Sequence, residues 1–212
     1  MDGQTDPHGG EPVLRRGPDP SAARRAVILL HGRGDSAAGI LGLADAIQVP
    51  DVAWIAPQAA GNTWYPYPFL APMSQNEPGL SSGLRKIATL VSTLTSEGVA
   101  AERIVVMGFS QGACLSQEFA ARNARRYGAI VGLSGGLIGP PGTPRDYAGR
   151  FDGTPVFLGC SDVDPHIPVE RVRESADVFQ RMGAAVDERI YPRMGHTVNQ
   201  DEIDAVTELL RA

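Results

Sequence analysis

Ser110 stands in "GFSQG" (108–112), with a glycine two residues away on either side. Side chains that small let a strand turn sharply into a helix and hold the serine hydroxyl in a strained, accessible position. A helix opening at Gln111 aims its free N–H groups at the same point, where they favour developing negative charge. A serine hydroxyl is a poor nucleophile at neutral pH, so it needs a base in contact and an acid to orient that base. The chain offers four histidines, His8, His31, His166 and His196. The acids nearest in kind are Asp162 and Asp164 in "SDVDP" (161–165). Aspartates near proline commonly make turn hydrogen bonds, so one of these is free to do that while the other faces the base.

The elements that must position these groups follow from hydrophobic patterning. Strands are expected at 26–30, 52–56, 103–108, 129–134, 155–159 and 186–191, and helices near 37–47, 79–97, 111–124, 168–182 and 199–211. The fourth helix has Val172, Ala176 and Phe179 on one face and Gly183 as its stop, and the last opens with Asn199 and Glu202 at capping-box spacing. Near-continuous apolar strands alternating with helices predict a mostly parallel sheet with helices on both faces.

Ligands of such sheets gather at the carboxyl ends of the strands, where the loops "HGRGDS" (31–36), "FSQG" (109–112), "CSDVDPHIP" (160–168) and "PRMGH" (192–196) fall. His196 follows the last strand and precedes the last helix, which is where the chain order Ser, Asp, His puts the base in an α/β-hydrolase. That order favours His196 over His166, whose alternative role is packing beside the site. Acyl transfer also needs two N–H donors for the oxyanion, which this arrangement assigns to Gln111 and to Arg33 in the glycine-rich first loop. The same loop could bind phosphate, but no Lys followed by Ser or Thr stands at P-loop spacing.

Bulk properties set the context. A chain of 212 residues fits one domain, expected here over 25–212. Residues 1–24 are rich in Pro, Gly and charge and are expected to form a flexible leader. The 24 acidic against 19 scattered basic residues give a net charge of -5, which disfavours nucleic acid as a partner. Two cysteines, Cys114 and Cys160, suit buried thiols in a reducing compartment and no metal site. With neither a secretion signal nor a bilayer-spanning stretch, a cytoplasmic protein without stable membrane insertion is expected.

Taken together, "LHGRGD", "GFSQGA", "SDVDPHIP" and "MGH" resemble the phospholipase/carboxylesterase family of α/β-hydrolases, which contains acyl-protein thioesterases and lysophospholipases. The resemblance runs from about residue 25 to the C-terminus and implies a minimal α/β-hydrolase fold without a large cap domain, its first strand at "AVILL". It implies Ser110 as nucleophile, Asp164 as acid, His196 as base, Arg33 and Gln111 as oxyanion-hole donors, and no metal or cofactor. Arg33 is closer to the bacterial carboxylesterase members, since the thioesterases usually carry an apolar residue there.

The segment 61–80 is dense in aromatic residues and proline and is expected to overhang the site, with Trp64, Tyr65, Phe69, Leu70 and Met73 lining an acyl pocket. The function expected is a serine carboxylesterase acting on short- to medium-chain small-molecule esters. Acyl thioesterase or lysophospholipase chemistry with the same triad is the alternative, and a catalytically inactive binding protein a remote one. The apolar segment would equally serve as half of a homodimer interface. "RGDS" (33–36) matches an adhesion tetrapeptide, yet the oxyanion loop accounts for the same residues.

Overall fold

Strands whose successive residues are all apolar must be covered on both faces, and the five central strands of the seven-stranded sheet are buried in this way. The structure, a computed structural model, describes residues 5–212. The strands are β1 (Val13–Arg16), β2 (Arg25–Leu30), β3 (Val52–Pro57), β4 (Ile104–Phe109), β5 (Ala129–Leu133), β6 (Pro155–Ser161) and β7 (Ala185–Tyr191). The helices are α1 (Ala37–Ile40), α2 (Gly42–Ile47), α3 (Gly79–Ser96), α4 (Gln111–Arg122), α5 (Val169–Arg181) and α6 (Gln200–Arg211). Sheet order is β1-β3-β2-β4-β5-β6-β7, parallel throughout except for β1, which runs antiparallel to β3.

The period-two alternation of β2 divides its residues between two cores. Ala26, Ile28 and Leu30 join the apolar faces of α3, α4 and α5, whereas Val27 and Leu29 join those of α1, α2 and α6. The face of α5 carried by Val172, Ala176 and Phe179 is buried, and the Asn199–Glu202 capping box opens α6. The fold is the α/β arrangement expected, and among the described residues no large cap covers the sheet.

The N-terminal expectation needs correction. Residues 1–4 lie outside the described residues, but 5–24 are not a flexible leader. Strand β1 pairs with β3 in the register Val13↔Pro57 to Arg16↔Trp54, so the sheet begins there and not at "AVILL". Four residues with only one half-buried side chain carry almost no hydrophobic signal, because an edge strand draws its stability from backbone pairing on one side. His8 is 2% exposed and fully engaged in hydrogen bonds. Among the described residues no helix is long and apolar enough to cross a membrane.

Candidate active site

The turn from β4 into α4 forces Ser110 to φ +54°, ψ −119°, a conformation that costs a non-glycine residue on the order of 1–3 kcal/mol. The two glycines make the turn possible. A Cβ at Gly108 would collide with the Gly112 carbonyl group, and one at Gly112 with the Leu30 carbonyl oxygen of β2. The Ser110 N–H donates to the Leu133 carbonyl (2.9 Å), which fixes the turn to β5.

His196 arrives from the loop after β7. Its Nε2 lies 2.8 Å from Ser110 Oγ, and its Nδ1 lies 2.7 Å from Asp164 Oδ2. Since a carboxylate only accepts, Nδ1 carries the proton and Nε2 is left as the acceptor for the serine hydroxyl. The Asp164 side chain has no exposed surface. Its Oδ1 accepts from the N–H groups of His166 (2.8 Å) and Ile167 (3.0 Å), and the Cys160 thiol donates to Oδ2 from 3.8 Å. Burial pushes that thiol up to about 12, with the Asp164 charge adding to it, so it remains a neutral donor.

Asp162 does what the turn reading allows. Its Oδ1 accepts the Arg193 N–H (2.7 Å), and Ser161 Oγ accepts the N–H of Gly195 (3.1 Å), so the β6 loop braces the β7 loop on which His196 rides. His166 packs its ring edge against His196, with centroids 4.9 Å apart, and makes no bond to Ser110.

The first loop lies against the serine, since a Cβ at Gly32 would stand 3.4 Å from Ser110 Cβ. Among the described residues neither the Arg33 nor the Gln111 N–H has an internal acceptor, whereas the Gly34 N–H donates to Asn62 O (2.8 Å). Sequence reasoning passed over His31 as merely the end of β2. Its Nε2 accepts the Ala59 N–H (3.1 Å), so Nδ1–H donates to the Gly32 carbonyl (2.7 Å). Holding that carbonyl fixes the plane of the Gly32–Arg33 peptide and hence the direction of the Arg33 N–H. Burial lowers the His31 pKa, consistent with a neutral ring.

Arg33 and Gln111 share a further task that their side chains perform. The Arg33 guanidinium donates to the carbonyls of Tyr65 (2.9 Å), Pro66 (2.8 Å) and Tyr67 (2.9 Å). Gln111 donates to the Tyr65 carbonyl (2.8 Å) and accepts the Trp64 N–H (2.9 Å). Both therefore clamp the 64–67 segment over the site.

Ser110 and His196 open onto a cavity of 660 Å³ whose walls include Phe69, Phe109, Ile167, Pro66 and Pro68. Of the expected pocket residues, Tyr65 and Phe69 line it. Trp64, Leu70 and Met73 do not. Trp64 is wholly buried behind the wall with its indole N–H on the His31 carbonyl (2.9 Å), and Leu70 and Met73 pack onto the core. An aromatic-rich segment has too many apolar groups for all of them to face one cavity, so some fasten it down. Ile167, Phe109 and Cys114 were missed, because they sit within motifs read for their polar neighbours. Among the described residues no group of three or more His, Cys, Asp or Glu is disposed to hold a metal ion.

A family model described as phospholipase/carboxylesterase matches residues 18–212. A phospholipase/carboxylesterase from Dyadobacter fermentans superposes with TM-score 0.91 at 42% identity, over 96% of this chain and 97% of that one. Acyl-protein thioesterase 1 of Yarrowia lipolytica is 29% identical over 91% of this chain and 93% of its own. Acyl-protein thioesterase 1 of Gibberella zeae is 31% identical over 65% of this chain and 60% of its own.

Proposed function

Because the chain belongs to the phospholipase/carboxylesterase family of hydrolases, we propose that it is a serine carboxylesterase that cleaves short- to medium-chain carboxylic esters through an acyl-enzyme. The observation that carries this reading is the continuous hydrogen-bonded row Ser110–His196–Asp164 at the mouth of an apolar cavity.

The reaction follows from that row. His196 Nε2 takes the proton of Ser110 Oγ as the oxygen attacks the ester carbonyl carbon. The carbonyl π pair moves onto oxygen, which accepts from the N–H groups of Arg33 and Gln111, each such donor being worth about 3–4 kcal/mol where measured. Buried Asp164 stabilises the imidazolium. Collapse of the tetrahedral species breaks the bond to the alcohol oxygen, which leaves with the proton from Nε2. Water then repeats the sequence, giving its proton to Nε2 and its oxygen to the acyl carbon, and Ser110 is regenerated as the acid departs.

A second reading rests on the relatives named acyl-protein thioesterase 1. The same oxyanion donors serve a thiolate leaving group, so thioesters belong in the same assay. Both cysteines are free and buried, which supports a reducing, cytoplasmic setting.

Initial rates on p-nitrophenyl esters from acetate to palmitate, with an acyl-CoA beside them and Ser110→Ala as control, test the proposal. A Ser110-dependent maximum at short or middle length is expected. No turnover of any ester or thioester by folded protein would overturn it.

A further inference from the structure

The wall formed by residues 58–72 has neither strand pairing nor an α-helix to hold it, only a three-residue 3-10 turn at Ala60–Asn62. Its position depends on side chains that grip its backbone. Arg33 and Gln111 grip it from the site side. From the opposite side it is gripped by His8. The Ala60 N–H donates to His8 Nδ1 (3.0 Å), which leaves Nε2–H to donate to the Trp64 carbonyl (2.9 Å). The imidazole also packs edge-on against the Trp64 indole, with centroids 5.3 Å apart.

His8 is itself anchored. Its N–H donates to Ser82 Oγ (3.0 Å), the Ser82 hydroxyl donates to Asp6, and Lys86 holds the carbonyls of Gly9 (3.3 Å) and Glu11 (2.6 Å). Strand β1 then ties the segment to the sheet. Behind Tyr65, which lines the cavity, stands a chain of buried bonds leading back to α3.

We propose that His8 is a positioning residue for the substrate-pocket wall: the N-terminal segment is a strap that sets where Tyr65 and Pro66 stand relative to Ser110. It touches no reacting atom and acts through the Trp64–Tyr65 backbone. Its kinetic consequence rests on the esterase reading, whereas its effect on the wall does not.

The test uses the full chain with His8→Phe, which keeps a ring beside Trp64 and removes both bonds, and His8→Gln, which offers an acceptor and a donor at similar spacing. Hydrogen exchange is followed at 59–67 and in α4, and kcat and KM are measured on p-nitrophenyl acetate and hexanoate. In His8→Phe, exchange at 59–67 should accelerate roughly tenfold with α4 unchanged, as expected for losing buried hydrogen bonds at one site. KM for hexanoate should rise about five- to tenfold while kcat on acetate stays within about twofold, and His8→Gln should recover much of both. Unchanged exchange at 59–67, exchange raised equally in α4, or parallel losses on both esters with no recovery in His8→Gln would overturn the proposal. If His8→Phe does not fold, Ser82→Ala, which removes the hydroxyl that anchors His8 to α3, decides instead: accelerated exchange at 59–67 with α4 unchanged supports the strap, and wild-type exchange there overturns it. Failure of the wild type to turn over any ester would instead remove the esterase reading, and the exchange result would still judge the strap.

Discussion

Glu202 closes the capping box of α6, six residues beyond His196, and it is fully buried. Its Oε2 accepts the Asn199 N–H (2.9 Å), but its Oε1 has no partner. A Cβ at Gly159 of β6 would meet this carboxylate. Burial pushes the carboxyl up from 4.5 to about 7; the Asn199 N–H opposes the shift and the Asp201 charge adds to it. The folded state therefore holds this proton more tightly than the unfolded state. The resulting contribution to stability is fully present below about pH 4.5 and is lost as pH rises through about 7. At 1.36 kcal/mol for each pH unit between those values, the loss comes to about 3 kcal/mol by pH 8.

Glu202→Gln keeps an oxygen to cap α6 and cannot ionise. Its amide N–H group takes the place of the unpartnered oxygen and costs about 1 kcal/mol if it finds no acceptor, which leaves a net gain of about 2 kcal/mol at pH 8. Urea unfolding of both proteins at pH 5, 6, 7 and 8, read with the m-value checked for constancy, measures this directly. The variant should equal or fall slightly below the wild type at pH 5 and exceed it at pH 8. A wild-type-to-variant difference that stays constant over that range would show that Glu202 does not carry the proton that the buried, half-satisfied site implies.

Other expectations follow from the same geometry. Ser110→Gly should abolish turnover and raise stability by about 1–2 kcal/mol in thermal unfolding, because glycine adopts the elbow conformation without strain. Asp164→Asn should lower kcat about 10⁴-fold through loss of the correct His196 tautomer, whereas Asp162→Asn, whose amide oxygen can still accept the Arg193 N–H, should cost less than about tenfold. Equal losses at the two would refute the assignment of the acid. Gly112→Ala should destabilise by more than about 2 kcal/mol in urea unfolding, since the added methyl meets the backbone of β2 and neither side yields cheaply. Arg33→Met should keep the oxyanion N–H but release three wall carbonyls, so KM for longer esters should rise more than kcat for acetate falls.

The sequence by itself determined the parallel core strands, the five helical regions, and Ser110 and His196 as two members of the reactive row. Each of those is a local or periodic signal: apolar runs in β2 to β6, small residues at 108 and 112 that a strained turn demands, and a chain order that places a base after the last strand. The choice between Asp162 and Asp164 lay beyond local signals. Both stand shortly before Pro165; the family resemblance implies Asp164, and the crossing of the β6 and β7 loops is what brings Asp162 to Arg193 and Asp164 to His196. Strand β1 was illegible for a related reason, because "VLRR" is a strand only by virtue of the β3 edge beside it. His8 and His31 look like ordinary histidines in a polar leader and at a strand end, yet each is buried by segments about 28 to 56 residues distant and holds the wall or the oxyanion loop. The tertiary structure also sorted the aromatic segment, turning Tyr65 and Phe69 to the cavity and Trp64 away from it. Composition says that such a segment will be buried. Which side chain faces the substrate depends on backbone hydrogen bonds supplied from elsewhere in the chain.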